Sequence, residues 1–410
     1  MTELKELRNN SNLFHIVLAV LTGVCLVALA FGTGFAVAWF QPGRSLLEAT
    51  VQDPGATSTL DLFKEAWDVV TEVFYGPLPA ARARSYGAVR GLLSTLDDPY
   101  SVLIEPIPRQ FEQDDLSGFY GGVGVELSRD EEGRVVLSPL RASPATAAGV
   151  LEGDVLLAVD GVPITPEMDL AEDIVASIRG EVGTEVALTV QRGAERLTFT
   201  ITRQVIETLS VEWRSLEQPA LGYVRISSFT DRTVDELGEG LEELLDGGAE
   251  GLILDLRGNG GGLLQAALDV ADQFFDGGVL LYERGRRRTE EKVYEASAAG
   301  RALEVPLVVL VDRGTASASE IVAGAIQDRE RGLLVGETTF GKGSVQLIFD
   351  LSDGSSLHVT SARWFTPNHH QLDGVGLTPD VVVEADPEGD GDVQLERAVD
   401  VLQAELGIGD

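Results

Sequence analysis

The sequence predicts a multidomain chain in which buried strands alternate with helices. Its 410 residues are enough for two to four domains and an ample hydrophobic core. Residues 305–311 are a continuous run of apolar β-formers, which is typical of a strand buried on both faces. Apolar residues beyond this run recur at helical spacing, at Ile321, Val322, Ala325 and Ile326. Earlier strands are predicted at 221–226 and 251–257, with a helix between them at 233–245.

The amino terminus predicts a membrane anchor. No charged residue lies between Arg8 and Arg44, and residues 13–40 are almost wholly apolar, whereas about 20 apolar residues suffice to span a bilayer. The apolar core of a cleavable signal peptide is shorter, which favours an uncleaved anchor, although Ala-Val-Ala at 36–38 keeps cleavage open. Lys5 and Arg8 precede the span and only Arg44 closely follows it, so we expect a cytoplasmic amino terminus and an extracytoplasmic remainder.

Composition excludes several classes of function. The chain has 66 acidic and 31 basic residues and a formal charge of −35, whereas nucleic-acid binding needs a basic surface. Cys25, the only cysteine, lies inside the apolar amino-terminal run. The rest of the chain therefore has no disulfide framework and no cysteine nucleophile. We expect neither a metal nor a cofactor.

Two segments separate the anchor from the rest of the chain. Residues 41–58 are rich in Pro, Gly, Ser and Thr and indicate a linker. Residues 59–115 carry apolar residues at helical spacing, interrupted by Tyr-Gly-Pro-Leu-Pro at 75–79. The segment 97–101, Asp-Asp-Pro-Tyr-Ser, is typical of a turn that ends a helix.

Residues 116–205 resemble a PDZ domain. Their glycine-rich start resembles the PDZ loop whose backbone N–H groups converge on a peptide carboxylate while the peptide adds to a sheet edge. In this sequence the loop consists of Tyr120, Gly121, Gly122, Val123, Gly124 and Val125. The alternative is a small β module with an ordinary hairpin at this position.

The first candidate catalytic segment is the loop 312–319. It joins the predicted strand to the helix, where N–H groups at the helix start can hold an anion such as a developing oxyanion. Three hydroxyl groups lie here, on Thr315, Ser317 and Ser319. Their simplest role is helix capping, since Ser317 and Glu320 fit a capping box.

Lys342 changes that interpretation. The chain has four lysines, at positions 5, 64, 292 and 342, and 27 arginines. A lysine acts as a general base only when it is neutral, and burial lowers its pKa far enough for this, whereas arginine keeps its proton. Lys342 follows Gly341 in a glycine-rich turn between apolar runs. The alternative is a hairpin tip with a solvated ammonium group.

Residues 315–328, TASASEIVAGAIQD, and residues 336–346, GETTFGKGSVQ, together resemble the catalytic core of the carboxyl-terminal processing proteases. These are serine peptidases with a Ser/Lys dyad. The resemblance implies that Ser317 is the nucleophile and that Lys342, 25 residues further on, is its base. It also implies that Gln346 hydrogen-bonds the lysine and orients it.

The same resemblance assigns the remaining site residues. Gly258-Asn259-Gly260-Gly261-Gly262 matches the glycine run that supplies an oxyanion donor, here Gly261 in preference to Gly262, with Ala318 as the second donor. The run lacks the Gly-Lys-Ser/Thr continuation of a phosphate-binding loop. Arg179 matches a residue that in some relatives couples the PDZ domain to the active site, and a surface arginine is the alternative.

A Ser/His/Asp triad is the competing mechanism. Outside the anchor the chain offers only His358, His369 and His370 as the histidine. Adjacent histidines in a turn are usually solvated, and His358 alternates with apolar residues as a strand residue does. His369 also departs from the family, in which glycine is common at that position.

The resemblance covers about residues 60–385 and implies an α/β multidomain fold. An N-terminal transmembrane helix and a helical region precede a PDZ domain, which is inserted before a crotonase/ClpP-like ββα peptidase core. The implied divisions are a cytoplasmic tail (1–12), the anchor (13–40), the linker (41–58), the helical region (59–115), the PDZ domain (116–205), the peptidase core (206–386) and an acidic tail with a short helix (387–410).

The implied function is that of a membrane-anchored, extracytoplasmic serine endopeptidase. It would bind apolar C-termini of protein substrates in its PDZ domain and cleave by the dyad. Its partners would be those substrates and the membrane, with a homo-oligomer or an activating adaptor left open and nucleic acid excluded. The alternative is a catalytically silent, membrane-tethered PDZ adaptor, which has no need of Ser317, Lys342 and Gln346 together.

Overall fold

The computed structural model describes residues 56–216, 220–286, 291–386 and 391–408. The described residues divide into two units, one ending at Ala81 and the other beginning at Arg82. The predicted cytoplasmic tail, the anchor at 13–40 and most of the predicted linker lie outside the described residues. No helix within the described ranges has both the length and the hydrophobicity of a membrane span.

Helices α1, α2, α6, α8 and α9 agree with predicted helical segments, whereas α4, α5 and α7 were not predicted. The proline-containing break at 75–79 separates α1 from α2, because proline cannot continue a helix. The bounds are α1 Ala56–Val73, α2 Ala81–Leu93, α3 Pro106–Ser117, α4 Pro144–Ala148, α5 Ala176–Ile178, α6 Thr233–Asp246, α7 Leu264–Asp272, α8 Ala318–Asp328 and α9 Val393–Leu406. A 3₁₀ turn at Ser94–Leu96 follows α2, and a π-helical turn at Leu170–Val175 leads into α5.

The PDZ module is an antiparallel sheet with the order β3-β4-β5-β7-β8, in which β6 pairs with β5. Alternate residues of β7, Val186, Leu188 and Val190, are buried in its core. Strands β2 and β9 pair with each other where the chain enters and leaves the module. The bounds are β2 Phe119–Gly122, β3 Val125–Arg129, β4 Val135–Pro139, β5 Asp154–Val159, β6 Val162–Pro163, β7 Glu185–Arg192, β8 Glu195–Thr202 and β9 Gln204–Glu207.

The peptidase region is built on a six-stranded sheet with the order β10-β11-β12-β15-β16-β19. All neighbouring pairs are parallel except β10 with β11. The bounds are β10 Val211–Leu216, β11 Leu221–Ile226, β12 Gly251–Asp255, β15 Leu307–Val311, β16 Leu333–Gly336 and β19 Val381–Val382.

Both faces of this sheet are covered, which explains the continuous apolar runs of its central strands. Helices α6, α7 and α8 pack on one face, in one cluster with Val309 and Leu254. Helix α9 packs on the other face, in one cluster with Val308 and Ile253. The loops that follow β12, β15 and β16 leave the sheet on the same side, because the carboxyl ends of neighbouring parallel strands lie next to each other.

A second, antiparallel sheet has the order β1-β18-β13-β14, and β17 pairs with the other side of β18. Its bounds are β1 Val102–Ile104, β13 Gly278–Gly285, β14 Glu291–Ala296, β17 Ser344–Asp350 and β18 Ser356–Phe365. Helix α3 contacts this sheet, since Arg109 lies 3.2 Å from Asp350 and Glu112 lies 3.4 Å from His358.

Helix α9 is part of the peptidase core. The predicted short helix agrees with α9, but its assignment to an acidic tail does not describe its packing. Ala398 and Leu402 are fully buried against the main sheet. Asp392, the N-cap residue, pairs with Arg257 at 2.8 Å. These contacts join residues far apart in the chain, which local sequence patterns do not report.

We predict that Leu402→Ala lowers the free energy of unfolding by about 2–5 kcal/mol, because it opens a cavity between α9 and the sheet. Chemical denaturation measures this cost. Glu405→Ala, an exposed change on the same helix, should alter stability by less than about 0.5 kcal/mol. Equal costs for the two variants would mean that α9 is not held by its packing.

Candidate active site

The loop between β15 and α8 is pinned against the glycine run 258–262. Thr315 is fully buried, and its hydroxyl donates to the Leu256 carbonyl at 2.9 Å. The carboxylate of Asp312 accepts from the Gly258 N–H at 2.8 Å. The two loops are therefore hydrogen-bonded to each other beyond the ends of β12 and β15.

Ser317 occupies a strained position in this loop. Its backbone has φ 56° and ψ −115°, a region that residues other than glycine adopt at a cost on the order of 1–3 kcal/mol. Such strain clusters at functional sites and persists only where the surroundings hold it. The side chain is half-buried at the first turn of α8. This conformation supports the choice of Ser317 over the other two hydroxyl residues.

Asn259 holds the two loops together and was missed by the sequence reasoning. It is fully buried, and its backbone carbonyl accepts from the Ala316 N–H at 3.0 Å and from the Ser319 hydroxyl at 2.8 Å. Its side chain donates to the Ile226 carbonyl at 2.9 Å. The sequence feature that could have identified Asn259 is a single asparagine within a run of glycines. Ser319 therefore helps to shape the loop.

Gly261 lies directly against Ser317. A Cβ atom on Gly261, which has φ 109°, would come within 2.9 Å of the Ser317 Cβ atom, so only glycine allows this approach. Its N–H donates to Asn259 Oδ1 at 2.9 Å, so this donor is already engaged. The Ala318 N–H lies in the first turn of α8, where N–H groups have no intrahelical acceptor. Both oxyanion assignments stay predictions.

The turn between β16 and β17 carries Lys342. This side chain is half-buried, and its Nζ atom lies 5.2 Å from the ring centroid of Tyr100. Tyr100 belongs to the segment 97–101, which the sequence analysis predicted to be a turn. Burial lowers the pKa of Lys342 below the ordinary lysine value, and the Glu112 carboxylate partly opposes that shift. The environment therefore favours the neutral amine that a general base requires.

Glu320 joins the serine loop to the lysine turn. The residue is fully buried. Its Oε2 atom accepts from the Ser317 N–H and from the Lys342 N–H, each at 2.9 Å. Its Oε1 atom accepts from the Thr339 hydroxyl at 2.6 Å and from the Gly341 N–H at 2.7 Å. The backbones of the two predicted dyad residues thus meet at one oxygen atom.

The sequence anticipated only part of this arrangement. The side chain of Glu320 returns to the Ser317 N–H, as the capping box predicts. The bridge to the lysine turn was not predicted, because Lys342 lies 22 residues further along the chain. The signal that could have found it is a charged residue within the apolar face of α8.

Gln346 lies on β17 close to the lysine turn. Its side-chain nitrogen lies 2.8 Å from the Ser344 hydroxyl and 3.3 Å from that of Thr360, and it donates to both. These bonds hold the amide against β18, the strand that pairs with β17. The predicted hydrogen bond from Gln346 to Lys342 stays a prediction.

The three histidines have other partners. His358 is buried in β18 with its Nε2 atom 3.4 Å from Glu112, and burial lowers its pKa. His369 stacks on Tyr282, and its φ of 61° accounts for glycine as the alternative residue there. His370 lies 3.1 Å from Asp328. These contacts do not favour a histidine base.

The PDZ module carries a groove of about 740 Å³ beside β3. Tyr120, Gly122, Val123, Gly124 and Val125 of the predicted loop line it. The remaining loop residue, Gly121, packs against Gly180, and its carbonyl accepts from the Gly180 N–H at 3.0 Å. Because β3 is an edge strand, an extended peptide could add to it from this groove.

Arg179 also lines the groove and is not a free surface residue. Its guanidinium lies 4.1 Å from the ring centroid of Tyr120 and pairs with Asp115 of α3 at 2.8 Å. It therefore connects the groove to the helix that contacts the second sheet. Its predicted coupling role stays a prediction.

Comparison with known proteins identifies the family. Residues 220–383 match the model for peptidase family S41, and residues 121–202 match a PDZ domain model. The chain is 39% identical over 340 residues to a carboxyl-terminal-processing protease of Synechocystis sp., covering 80% of this chain and 79% of the relative. It is 30% identical to the carboxy-terminal processing protease CtpB of Bacillus subtilis, covering 88% and 76% of the two chains.

A crystal structure of a putative S41 protease from Bacteroides fragilis has the same fold. It superposes with a TM-score of 0.53 at 17% identity, covering 82% of this chain and 93% of the other. The present chain therefore belongs to the carboxyl-terminal-processing proteases of peptidase family S41. It is a serine peptidase with a PDZ domain, which confirms the family predicted from the two motifs.

We predict that Glu320→Gln reduces kcat/KM for a protein substrate about a hundredfold. The amide keeps one acceptor oxygen for four donors, and a displacement of about 1 Å in a catalytic group has a cost of this size. Glu330→Gln, the same chemical change at an exposed position, should leave kcat/KM unchanged. Normal activity of Glu320→Gln would show that the bridge does not position the site.

Proposed function

We propose that the protein is a membrane-anchored serine endopeptidase that cleaves by a Ser317–Lys342 dyad outside the cytoplasm. The observation that carries this proposal is the Glu320 carboxylate, whose one oxygen atom accepts from the N–H groups of both dyad residues. The lowered pKa of Lys342 supports its role as the base. The strained backbone of Ser317 supports its role as the nucleophile.

Catalysis begins with the neutral amine of Lys342. Its Nζ atom takes the proton from Ser317 Oγ as that oxygen attacks the peptide carbonyl. The N–H groups of Ala318 and Gly261 stabilise the negative charge that develops on the carbonyl oxygen. The ammonium then returns its proton to the departing amine, which leaves an acyl-enzyme on Ser317. Water, deprotonated by Lys342, releases the acyl group and restores both residues.

Two neighbours support the lysine in this mechanism. Tyr100 shields the amine from bulk water, because its ring lies 5.2 Å from Nζ. Gln346 is held near the lysine turn by its bonds to Ser344 and Thr360, and it hydrogen-bonds the amine during catalysis. The Gly261 N–H, which donates to Asn259 Oδ1, must either turn towards the oxyanion or donate to both oxygen atoms at once.

Substrates enter through the PDZ groove by their C-termini. Val125, Leu127, Leu140 and Ile178 give the groove an apolar lining, which suits an apolar terminal side chain. The backbone N–H groups of the loop at 120–125 receive the carboxylate, and the peptide extends along β3. The apolar run at 13–40 places the enzyme on the membrane, where it meets extracytoplasmic proteins.

We expect Ser317→Ala and Lys342→Ala each to abolish cleavage of unfolded casein by the full-length protein in detergent micelles. Lys342→Arg should be equally inactive, because arginine keeps its proton. Arg313→Ala, at an exposed arginine in the same loop as Ser317 that pairs with Glu337, serves as the control and should stay active. Cleavage by the Ser317 and Lys342 variants at the wild-type rate would refute the dyad.

We expect Glu112→Gln to move the acid limb of the kcat/KM profile to lower pH. The protonated lysine is inactive, so activity rises as Lys342 loses its proton. The Glu112 carboxylate raises the pKa of Lys342, and its neutral amide counterpart does not. Glu131→Gln, an exposed change in the PDZ module, should leave the profile in place. A shift of the acid limb to higher pH in Glu112→Gln would contradict this account.

A further inference from the structure

The turn at residues 97–101 is anchored to strand β18 by Asp98. The Oδ2 atom of this residue accepts from the Ser101 hydroxyl at 2.6 Å, and its Oδ1 atom accepts from the Tyr100 N–H at 3.3 Å. Ser101 is buried, and its hydroxyl oxygen accepts in turn from the Thr360 N–H at 3.1 Å. The turn is therefore attached to the middle of β18 just before β1 pairs with the same strand.

The Thr360 side chain makes a second contact with the turn. Burial disfavours the charged form of Asp98, but hydrogen bonds from the side chains of Ser101 and Thr360 hold the pKa of this carboxyl below its ordinary value. Asp98 is therefore ionised at neutral pH, and an ionised carboxylate can only accept hydrogen bonds. It follows that the Thr360 hydroxyl donates its proton to Asp98.

This donor direction decides how the Gln346 amide is oriented. The Thr360 hydroxyl has a single proton, so its oxygen accepts from the Gln346 side-chain nitrogen, with 3.3 Å between the two atoms. The Ser344 hydroxyl accepts from the same nitrogen at 2.8 Å. Both N–H groups of the amide are thereby engaged, which leaves its Oε1 atom for the amine of Lys342. A reversed amide would present a donor, to which an ammonium group cannot donate.

The same anchor places the ring of Tyr100 beside the lysine. Tyr100 lies between Asp98 and Ser101 in the chain, so the backbone is held on both sides of it. Its ring centroid lies 5.2 Å from Lys342 Nζ. The Asp98 carboxylate therefore acts on two neighbours of the amine, the aromatic ring beside it and the amide that can accept from it.

We propose that Asp98 is a positioning residue for Lys342, the base of the proposed dyad. Through the Thr360 hydroxyl it directs the acceptor oxygen of Gln346 towards the amine, and through the turn it holds the Tyr100 ring in place. An amine that donates to a fixed acceptor keeps its lone pair directed at the nucleophile. The inference rests on the proposed peptidase function and adds to it a group from the helical region that precedes the PDZ module.

Asp98→Asn in the full-length protein tests this role. The amide can donate as well as accept, so the Thr360 hydroxyl is free to turn its proton towards Gln346. We expect kcat for unfolded casein to fall between about tenfold and a hundredfold, the size of effect that misplacing a catalytic group has, with KM within about twofold of the wild-type value. Asp97→Asn, the same change at an exposed neighbour with φ 52°, which asparagine tolerates, should leave kcat unchanged.

Labelling of Ser317 by a small fluorophosphonate separates the chemical step from substrate binding. The probe reacts with an activated serine and needs no PDZ groove, so in Asp98→Asn its labelling rate should fall by about the same factor as kcat. An Asp98→Asn protein that is less stable but is labelled and cleaves at the wild-type rate would show that Asp98 only closes the turn. Absence of both labelling and cleavage in the wild type would instead refute the proposed peptidase function.

Thr360 provides a second test that leaves the turn residues unchanged. Thr360→Val removes the hydroxyl and keeps the shape of the side chain, so it should also lower kcat at least about tenfold. Thr360→Ser keeps the hydroxyl and should recover most of this loss. Because Asp98 acts through this hydroxyl, the double variant Asp98→Asn/Thr360→Val should be no slower than Asp98→Asn alone. Fully additive losses, or a wild-type kcat in Thr360→Val, would overturn the proposal.

Discussion

The carboxylate of Glu320 is the interaction on which the candidate site depends. A buried, unpaired carboxylate is costly, and this one is stabilised because four donors surround it. Those donors come from both the serine loop and the lysine turn, so each loop satisfies the charge only when the other is in place. The carboxylate thereby couples the strained backbone of Ser317 to the position of Lys342. One residue in the first turn of α8 holds together two segments that the chain supplies separately.

The main sheet makes this bridge possible. Strands β15 and β16 are parallel neighbours, so the loops that follow them meet at one edge, and the glycine run after β12 joins them there. Beneath this edge, the buried Asp255 pairs with Arg257 at 2.6 Å and accepts from the Tyr223 hydroxyl at 2.7 Å. Burial, together with this hydrogen bond, raises the pKa of Tyr223 to about 12. Arg257 continues to Asp392 at the start of α9. The carboxyl-terminal helix and the active-site edge therefore belong to one network.

Helix α3 interacts both with the groove of the PDZ module and with the surroundings of Lys342. Its Asp115 pairs with Arg179 at the groove, and its Glu112 lies beside His358 and acts electrostatically on Lys342. A change in the groove that moves α3 would therefore alter the charge environment of the proposed base. The edge strand β17 lies under the same helix, because Asp350 pairs with Arg109.

The sequence by itself determined the elements whose signals are local. Continuous apolar strands, the proline break before α2, the PDZ glycines and the serine and lysine motifs each lie within a short window, and the resemblance of the two motifs to a known family indicated Ser317 and Lys342. The tertiary structure decided what joins distant segments: the bridge from Glu320 to the lysine turn, the role of Asn259 and the packing of α9. Engagement of the Gly261 N–H by Asn259 belongs to the same group. Hydrogen bonding and burial depend on which segments lie next to each other in the folded chain, and the local periodicity of a sequence does not specify those contacts.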